Sequence, residues 1–578
     1  MHHPDDDTIS NLSRSDRFAA AVETPDMAPF TRRDMLRCAA VISFASIAAT
    51  TADTQLAQAG TLPSTAQTGF LHGVASGDPL PDSVLLWTRV TPAAEAVPGS
   101  GAGPDVTVKW EVAEDSNFRK VAARGSFGTG YHLDHTVKVV AGGLRPGTTY
   151  WYRFSWGKQT SATGRTRTAP AAKAAVDRLR MGVVSCANWQ AGYFTAYRHL
   201  ADRGDLDVVL HLGDYLYEYA PGEYQARDIV IRPHDPAAEM TTLAHYRRRH
   251  AQYKTDIDLQ ALHAAVPFVV TWDDHESAND AWSAGAQNHT EGAEGSWAER
   301  RAFAQQAYAE WMPVRFEPGG HIYRRFNFGG LASISMLDLR SYRSQQASSV
   351  VAPDIDSPGR TLTGQAQMAW LLDGLSSTQT QWKLVGNPVM IAPVRFPSTL
   401  STQEIGALKQ LLGSTTIGGV PYNVDQWDGY TADRSTVLSH LRHNGIMNAV
   451  FLTGDIHSGW ACDLPADPLT YPMNGASVAA ELVCTSVTSD NLDDILNTAP
   501  RTASLAVEAA FKAANPHVKY LDFDSHGYCV LEVTPGALRM DWYVLSDRTS
   551  PAAASRRSAS WQVKAGTNTV SQVDGGLL

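Results

Sequence analysis

The sequence predicts a layered α/β domain preceded by a small all-β domain, on three observations. Residues 70–168 repeat short alternating runs between Gly/Pro turns, SVLLWTRV, VTVKWEVA and TYWYRFSW among them, as the strands of a small sandwich do. From Arg178 the runs become unbroken stretches of β-formers, such as DVVLHLGD, PFVVTWDDH and AVFLTGDIH, the mark of strands buried on both faces. Helix-like segments such as AYRHLAD, LAHYRRRHAQY and WAERRAFAQQAYAEWM alternate with these runs, which makes this second part a layered α/β domain.

At 578 residues the chain exceeds one compact core, so two or three domains are expected. Hydrophobic residues at 43% and charged residues at 19% fit a folded chain rather than a disordered one. The net charge is −11 and no long basic run occurs, which argues against a nucleic-acid-binding patch. Cys38, Cys186, Cys462, Cys484 and Cys529 are too few for a disulfide scaffold. On export, Cys462 and Cys484 could pair.

Residues 1–59 read as an export leader. Arg32-Arg33 in TRRDMLR precede an apolar run from Cys38 to Ala49, and Ala57-Gln58-Ala59 offers a small-residue cleavage pattern. Charged front, short apolar middle and small-residue end are the three parts of a secretory signal, and the arginine pair makes it resemble a twin-arginine signal. The expected partner during export is the twin-arginine translocase, and the expected destination is the periplasm or the extracellular space. No other stretch reaches the roughly 18 apolar residues of a membrane span, so none is expected in the mature chain.

Residues 60–168 form the expected N-terminal β-sandwich, whose LRPGTTYWYRF resembles the turn and last strands of an immunoglobulin-like or fibronectin-like domain. Residues 164–178 look like a linker. Residues 169–545 make up the α/β domain, and 546–578 a C-terminal tail.

Polar residues collect at the ends of the predicted α/β strands: Ser185-Cys186, Gly213-Asp214 with Tyr217, Asp273-Asp274-His275-Glu276, and Gly454-Asp455-Ile456-His457. Open α/β sheets bind ligands beyond the carboxyl ends of their strands, so four such ends point to one shared site. Asp214 and Tyr217 are three apart at a strand-to-helix turn, and Asp455 and His457 two apart in extended chain, so each pair can face one point. Asp214, Asp274 and Asp455 would repel one another unless cations neutralise them.

At these residues the chain resembles the PhoD-type alkaline phosphatases of the calcineurin-like, purple-acid-phosphatase-like metallophosphoesterases. GDYLY, DDHE and GDIH carry the resemblance, with Cys186 where the broader group has Asp. FLHGVASGDPLPDSVLLWTRV, LDLRSYR and NPHVKYLDFDSHGYCVLEVTP extend it over nearly the whole mature chain. The resemblance implies a metallophosphoesterase β-sandwich flanked by helices, and hydrolysis of phosphate monoesters, with diesters also in view, by a water or hydroxide that the metals activate. It implies ferric iron on Cys186, Asp214, Tyr217 and His457, with Asp214 bridging to calcium on Asp274 and Asp455. A second calcium is expected, with Asn279 and Asp280 as candidate ligands. The expected catalytic residues are His275, held beside Glu276 and either acting on the phosphate or leaving oxygen or only orienting Asp274, and Arg340, either on the substrate phosphate or paired with Asp338.

Two other readings stay open from sequence. One is a phospholipase D-like phosphodiesterase on the same scaffold. The other is a non-catalytic binding protein that keeps its metals for stability. A serine hydrolase is a poor third reading, because no G-x-S-x-G elbow with partners occurs.

Overall fold

The computed structural model describes residues 68–224, 229–401, 403–404 and 421–577, and the leader expected at residues 1–59 lies outside them. The first eight strands are β1 (Val74–Gly77), β2 (Ser83–Arg89), β3 (Val106–Ala113), β4 (Val121–Thr129), β5 (Thr136–Gly142), β6 (Thr149–Trp156), β7 (Gln159–Thr160) and β8 (Gly164–Arg167). Strands β4, β3, β6 and β7 form one sheet in that order, with β8 on β6. Alternation in TYWYRFSW turns Tyr150, Tyr152 and Phe154 inward onto Val84 and Leu86 of β2, as period-2 patterning requires.

Strand β2 is buried along its whole length, for a reason its sequence hides. Leu85 and Trp87, on its other face, pack with Ala251 and Trp311 of the α/β part. Strands β1, β2 and β5 are not a separate sheet but the end of a ten-stranded one, in which Gly77 of β1 pairs in parallel with Phe268. The expected boundary after residue 168 is therefore no break in the sheet, and the first residues of the expected linker form strand β8.

Strands β9 (Leu179–Val184), β10 (Val208–His211) and β11 (Phe268–Val270) are parallel and carry that sheet through the middle of the molecule. A second, seven-stranded sheet contains β12 (Arg324–Phe328), β13 (Ala332–Met336), β14 (Trp382–Asn387), β15 (Ala449–Thr453), β16 (Gly459–Leu464), β17 (Ala479–Val483) and β18 (Val518–Asp522), ordered β12-β13-β14-β15-β17-β16-β18. The chain then returns to the first sheet as β19 (Gly527–Val533), β20 (Ala537–Leu545), β21 (Ser555–Lys564) and β22 (Val570–Gln572), with β19 antiparallel to β9.

The sheets face each other. Val183, Leu210 and Val269 of the first meet Met336, Leu384 and Leu452 of the second in one core. Alternate residues Val184, Val209 and Val270 face outward, onto α1 (Thr195–Asp202), α2 (Leu243–Tyr253), α3 (Ile257–Ala265) and α4 (Trp297–Trp311). The second sheet is covered by α5 (Gln365–Ser377), α6 (Thr431–His443) and α7 (Ala503–Ala514). Continuous Val/Leu runs are thus explained by a four-layer order, helix, sheet, sheet, helix.

Residues 546–577 are not a free tail. Strand β21 pairs with β20 and β22 with β21, and Val563 and Val570 enter the core between the sheets. The four described cysteines are free thiols, so the Cys462–Cys484 pairing is not formed. No helix of the described residues is long and apolar enough to cross a membrane.

A basic cluster lies where the N-terminal strands meet α2 and α3. Lys254 Nζ and Tyr215 Oη each lie 3.0 Å from His263 Nε2. His250 stacks on Tyr215, and neither of its ring nitrogens has a hydrogen-bond partner among the described residues. Burial, then the nearby Lys254, pushes His250 well below the usual imidazole range. Above about pH 6.5 neither the folded nor the unfolded chain protonates this ring. Below it the unfolded chain binds a proton that the fold refuses, so the contribution to stability falls with pH. His250→Phe should remove that loss. Relative to wild type, the variant should gain up to about 1.4 kcal/mol per pH unit below about 6.5, measured by urea unfolding; a pH-independent difference would show that His250 is protonated in the fold.

Candidate metal centre

The loops that follow β9, β10, β11 and β15 meet at one end of the two sheets, and each makes an abrupt turn. Cys186, Asp214, Asp455 and His457 all have positive φ, at 61°, 53°, 68° and 51°. Such left-handed conformations cost non-glycine residues roughly 1–2 kcal/mol each, so the surrounding packing must hold them. Two glycines allow the loops to touch. A Cβ at Gly213, where φ is 107°, would lie 2.5 Å from Asp273 Cβ, and one at Gly454 would lie 2.8 Å from Ser185 Cβ.

These turns bring the expected ligands together. Ligand atoms of Cys186, Asp214 and His457 lie within 4.8 Å of one another, as do those of Asp214, Asp274 and His275, and those of Asp214, Asp273, Asp274 and Asp455. Asp214 belongs to all three groups. Tyr217 Oη donates to Asp214 Oδ2 at 3.1 Å, stands 3.3 Å from His457 Nε2 and accepts from Ser489 Oγ at 2.6 Å. His457 Nδ1 donates to the Asp490 carbonyl at 2.7 Å, which turns Nε2 toward Tyr217. Arg548, in the segment expected to be a tail, bonds the Asp490 carboxylate and the Thr488 carbonyl and so braces this loop.

The protein alone disfavours the charged forms of these groups. Burial, reinforced by the Asp274 and Asp273 carboxylates against the pull of His275, holds Asp214 well above the usual carboxylate range. Burial and Asp273 do the same to Asp455. Burial and then Asp214 push the Cys186 thiol and the Tyr217 phenol up. A cation reverses this preference, because it attracts thiolate, phenolate and carboxylate alike. Asp214 Oδ1 and Asp273 Oδ2 are buried with no hydrogen-bond partner among the described residues. With sulfur, phenol oxygen, imidazole nitrogen and carboxylate oxygen around them, these atoms fit bound metal ions.

Arg340 partly offsets the carboxylates. Its Nε pairs with Asp273 and its Nη1 with Asp425 at 2.9 Å, while Nη2 lies 3.6 Å from Asp274 and 3.8 Å from Asp455. The expected Asp338 pairing is corrected: Asp338 Oδ1 accepts the backbone N–H of Arg340, and the guanidinium turns to the site. Arg343 pairs with Asp425 from the other side.

His275 is not held by Glu276. Its Nδ1 lies 2.8 Å from Glu218 Oε2, and its ring is 4.2 Å from that of Tyr217. Burial lowers its proton affinity, but Asp274, Asp214 and Glu218 outweigh burial and raise it well above the usual imidazole value. Glu276 curls back under the loop, because the turn closed by Ser277 N–H on the Asp274 carbonyl aims its side chain at the backbone. There it accepts from the N–H groups of Asp214, Tyr215 and Asp273 at 3.2, 2.6 and 2.8 Å. Of the second-calcium candidates, Asn279 bonds Glu218 through its N–H and Gln287 through its side chain, and Asp280 donates its N–H to Asp274 Oδ2. Sequence reading missed Glu218, Asp273 as a member of the cluster, and Asp425. Glu218 and Asp273 each adjoin a chosen residue, which is a weak signal, whereas Asp425 has none.

Residues 181–542 match the PhoD-like phosphatase family, and residues 55–170 match the PhoD-like phosphatase N-terminal domain. The chain is 37% identical to alkaline phosphatase D of Bacillus subtilis (strain 168) over 544 residues, 92% of this chain and 87% of that protein. Among solved structures, it is similar to one described as the structure of PhoD, with a TM-score of 0.78 and 36% identity, over 89% of this chain and 94% of that one.

Glu276→Ala strands three buried N–H groups, at about 1–3 kcal/mol each. The thermal midpoint and the metal content per chain should fall together, with Glu276→Gln in between. Unchanged metal content in a destabilised alanine variant would separate this clamp from the ligand loops.

Proposed function

The chain belongs to the PhoD-like phosphatase family and hydrolyses phosphoric esters, and on that premise we propose that Cys186, Asp214, Tyr217, Asp274, Asp455 and His457 hold ferric iron and calcium at its catalytic centre. The observation that carries this reading is the convergence of all three groups of ligand atoms on Asp214. Thiolate, phenolate and imidazole suit ferric iron, which favours Cys186, Tyr217 and His457 for that ion. Carboxylate oxygens suit calcium, which favours Asp274 and Asp455, with Asp214 shared. When bound, such ions neutralise phosphate charge and lower the pKa of a coordinated water.

The remaining roles fall to the chain's own side chains. Arg340 Nη2, which has no hydrogen-bond partner among the described residues, is the donor for a phosphate oxygen, and Asp273 and Asp425 fix its direction. His275 is the proton donor for the leaving oxygen. Glu218 occupies its Nδ1, which leaves Nε2 for substrate. The alternative role, orienting Asp274, is less supported, because the contact between the two runs through the His275 backbone N–H and not its ring. Glu276 acts on the reaction only by holding the backbone of both loops.

Phosphate monoesters are the proposed substrates, with diesters accepted at the same centre; initial rates on p-nitrophenyl monoester and bis-ester, side by side, test this. The Arg32-Arg33 leader supports twin-arginine export to the periplasm or beyond, which cell fractionation of an Arg32→Lys/Arg33→Lys variant tests.

Asp214→Asn should abolish iron binding and turnover together, measured by elemental analysis and by p-nitrophenyl phosphate hydrolysis of the same preparation. Full activity in that variant would remove Asp214 from the centre. His275→Asn should keep its metals and lose roughly 10²–10⁴ in kcat on alkyl phosphates. It should lose far less on p-nitrophenyl phosphate, whose leaving group needs no proton; equal losses on both would reassign His275 to positioning.

A further inference from the structure

Ser185, just past β9, bridges in parallel to Ser486, just past β17. Beyond that bridge the chain runs past the sulfur, phenol and imidazole donors of the metal centre and touches the residues that carry all three. The N–H groups of Thr488 and Ser489 donate to the Cys186 carbonyl at 3.3 Å each. Ser489 Oγ lies 2.6 Å from Tyr217 Oη. The Asp490 carbonyl accepts from His457 Nδ1 at 2.7 Å. The segment is itself held from several sides. The Ser489 carbonyl accepts from Ser486 Oγ at 2.8 Å, and Thr488 Oγ1 donates to the Asn188 carbonyl at 2.7 Å. Arg548 bonds the Thr488 carbonyl and the Asp490 carboxylate. Ser489 is fully buried, so bulk water does not compete for its hydroxyl.

The Ser489 hydroxyl has one hydrogen and two acceptors in reach, Tyr217 Oη at 2.6 Å and the Cys186 carbonyl at 3.0 Å. That carbonyl already accepts two N–H groups, one for each lone pair. The hydrogen therefore belongs to Tyr217. In the protein alone the phenol passes its own hydrogen to Asp214 Oδ2 at 3.1 Å. A metal ligand gives up that hydrogen. The other two partners of Oη, Asp214 Oδ2 and His457 Nε2, are then ligands of the same ion, and neither can donate. The imidazole hydrogen sits on Nδ1, where Asp490 holds it. Ser489 is left as the one donor to the phenolate among the described residues. Its 2.6 Å separation lies in the range of about 2.5–2.7 Å for a hydroxyl on an oxyanion.

We propose that Ser489 is a positioning residue that acts on the iron through Tyr217: its hydroxyl donates to the ligated phenolate, draws charge out of it, and so sets the balance between ferric and ferrous iron at the centre. The proposal rests on the reading of Cys186, Tyr217 and His457 as the iron ligands. A phenolate that gives less charge to the ion leaves more of the ion's charge for a phosphate oxygen. The next residue works in the opposite sense. By accepting from Nδ1, the Asp490 carbonyl makes His457 a stronger ligand. One short segment, braced by Arg548 of the C-terminal strands, thus weakens one ligand and strengthens another.

The test compares the iron-loaded full chain with Ser489→Ala, which deletes the donor, and Ser489→Thr, which keeps it. Visible absorption, resonance Raman spectra and a redox titration are read on each. Raman bands of the phenolate ring, enhanced by excitation in the visible band, separate Tyr217 from the Cys186 sulfur. In Ser489→Ala the phenolate-to-iron band should move to longer wavelength. Ferric over ferrous binding should rise about tenfold, the effect of one hydrogen bond to a charged group, which lowers the one-electron midpoint by about 59 mV. Ser489→Thr should keep the wild-type band and midpoint. Wild-type values in iron-loaded Ser489→Ala overturn the proposal, and equal changes in both variants reduce Ser489 to packing and overturn it as well. A second measurement needs no variant: wild type loaded with iron in D₂O should show a shifted phenolate C–O stretch, and an unmoved stretch overturns the hydrogen bond even where Ser489→Ala takes up no iron. Iron-loaded wild type with no phenolate-to-iron band at all overturns the assignment of Tyr217 as an iron ligand, and the role of Ser489 falls with it.

Discussion

The carboxylates of Asp214, Asp273, Asp274 and Asp455 crowd within 4.8 Å of one another in a buried pocket, and much of the surrounding structure answers to that repulsion. A single pair of like charges about 4 Å apart costs on the order of 4 kcal/mol at an effective dielectric constant near 20. Arg340 is the cation placed against them, and Asp425 already claims part of it. A protein-only solution would be to protonate the acids, which is what burial favours at Asp214 and Asp455. The orphaned oxygens and the sulfur and phenol donors beside them point to the other solution, multivalent cations.

The cost of gathering such charges is met by the scaffold. The proposed ligands sit on short loops at the carboxyl ends of buried strands, where packed layers on both sides can hold backbone that is unfavourable by itself. Four of the six expected ligands adopt left-handed φ, so the strain falls on residues proposed to carry the chemistry. Glu276, Ser489 and Arg548 make no part of the cage, yet they fix the loops that do. The site is thereby shaped before any ligand arrives, as preorganised catalysis requires.

Sequence made the strands and the candidate ligands visible for one reason: both are written locally. The runs of buried β-formers and the acids that end them sit side by side, so Cys186, Asp214, Asp274, Asp455 and His457 could be chosen from spacing and residue type. What it hid is what depends on distant pairing. Glu218, not the adjacent Glu276, holds His275, because a turn of one residue's length decides where a side chain points. Asp425 meets Arg340 across 85 positions of chain and leaves no pattern. The C-terminal segment reads as polar and small, and only its pairing with β20 makes it strand. Residues 1–59 remain a reading from composition and order alone.

The shared ten-stranded sheet has a consequence for anyone dividing this gene. The N-terminal segment matches a family domain of its own, yet β1 supplies the partner that β11 hydrogen-bonds along its free side, and Trp87 fills the hollow beside Trp311. A fragment starting after residue 168 would present β11 as a raw edge beside uncovered tryptophan, the arrangement that invites strand-by-strand stacking between copies. The upstream portion thus serves as a permanent, covalently attached cover for that edge, and a stable fragment has to keep the two segments together.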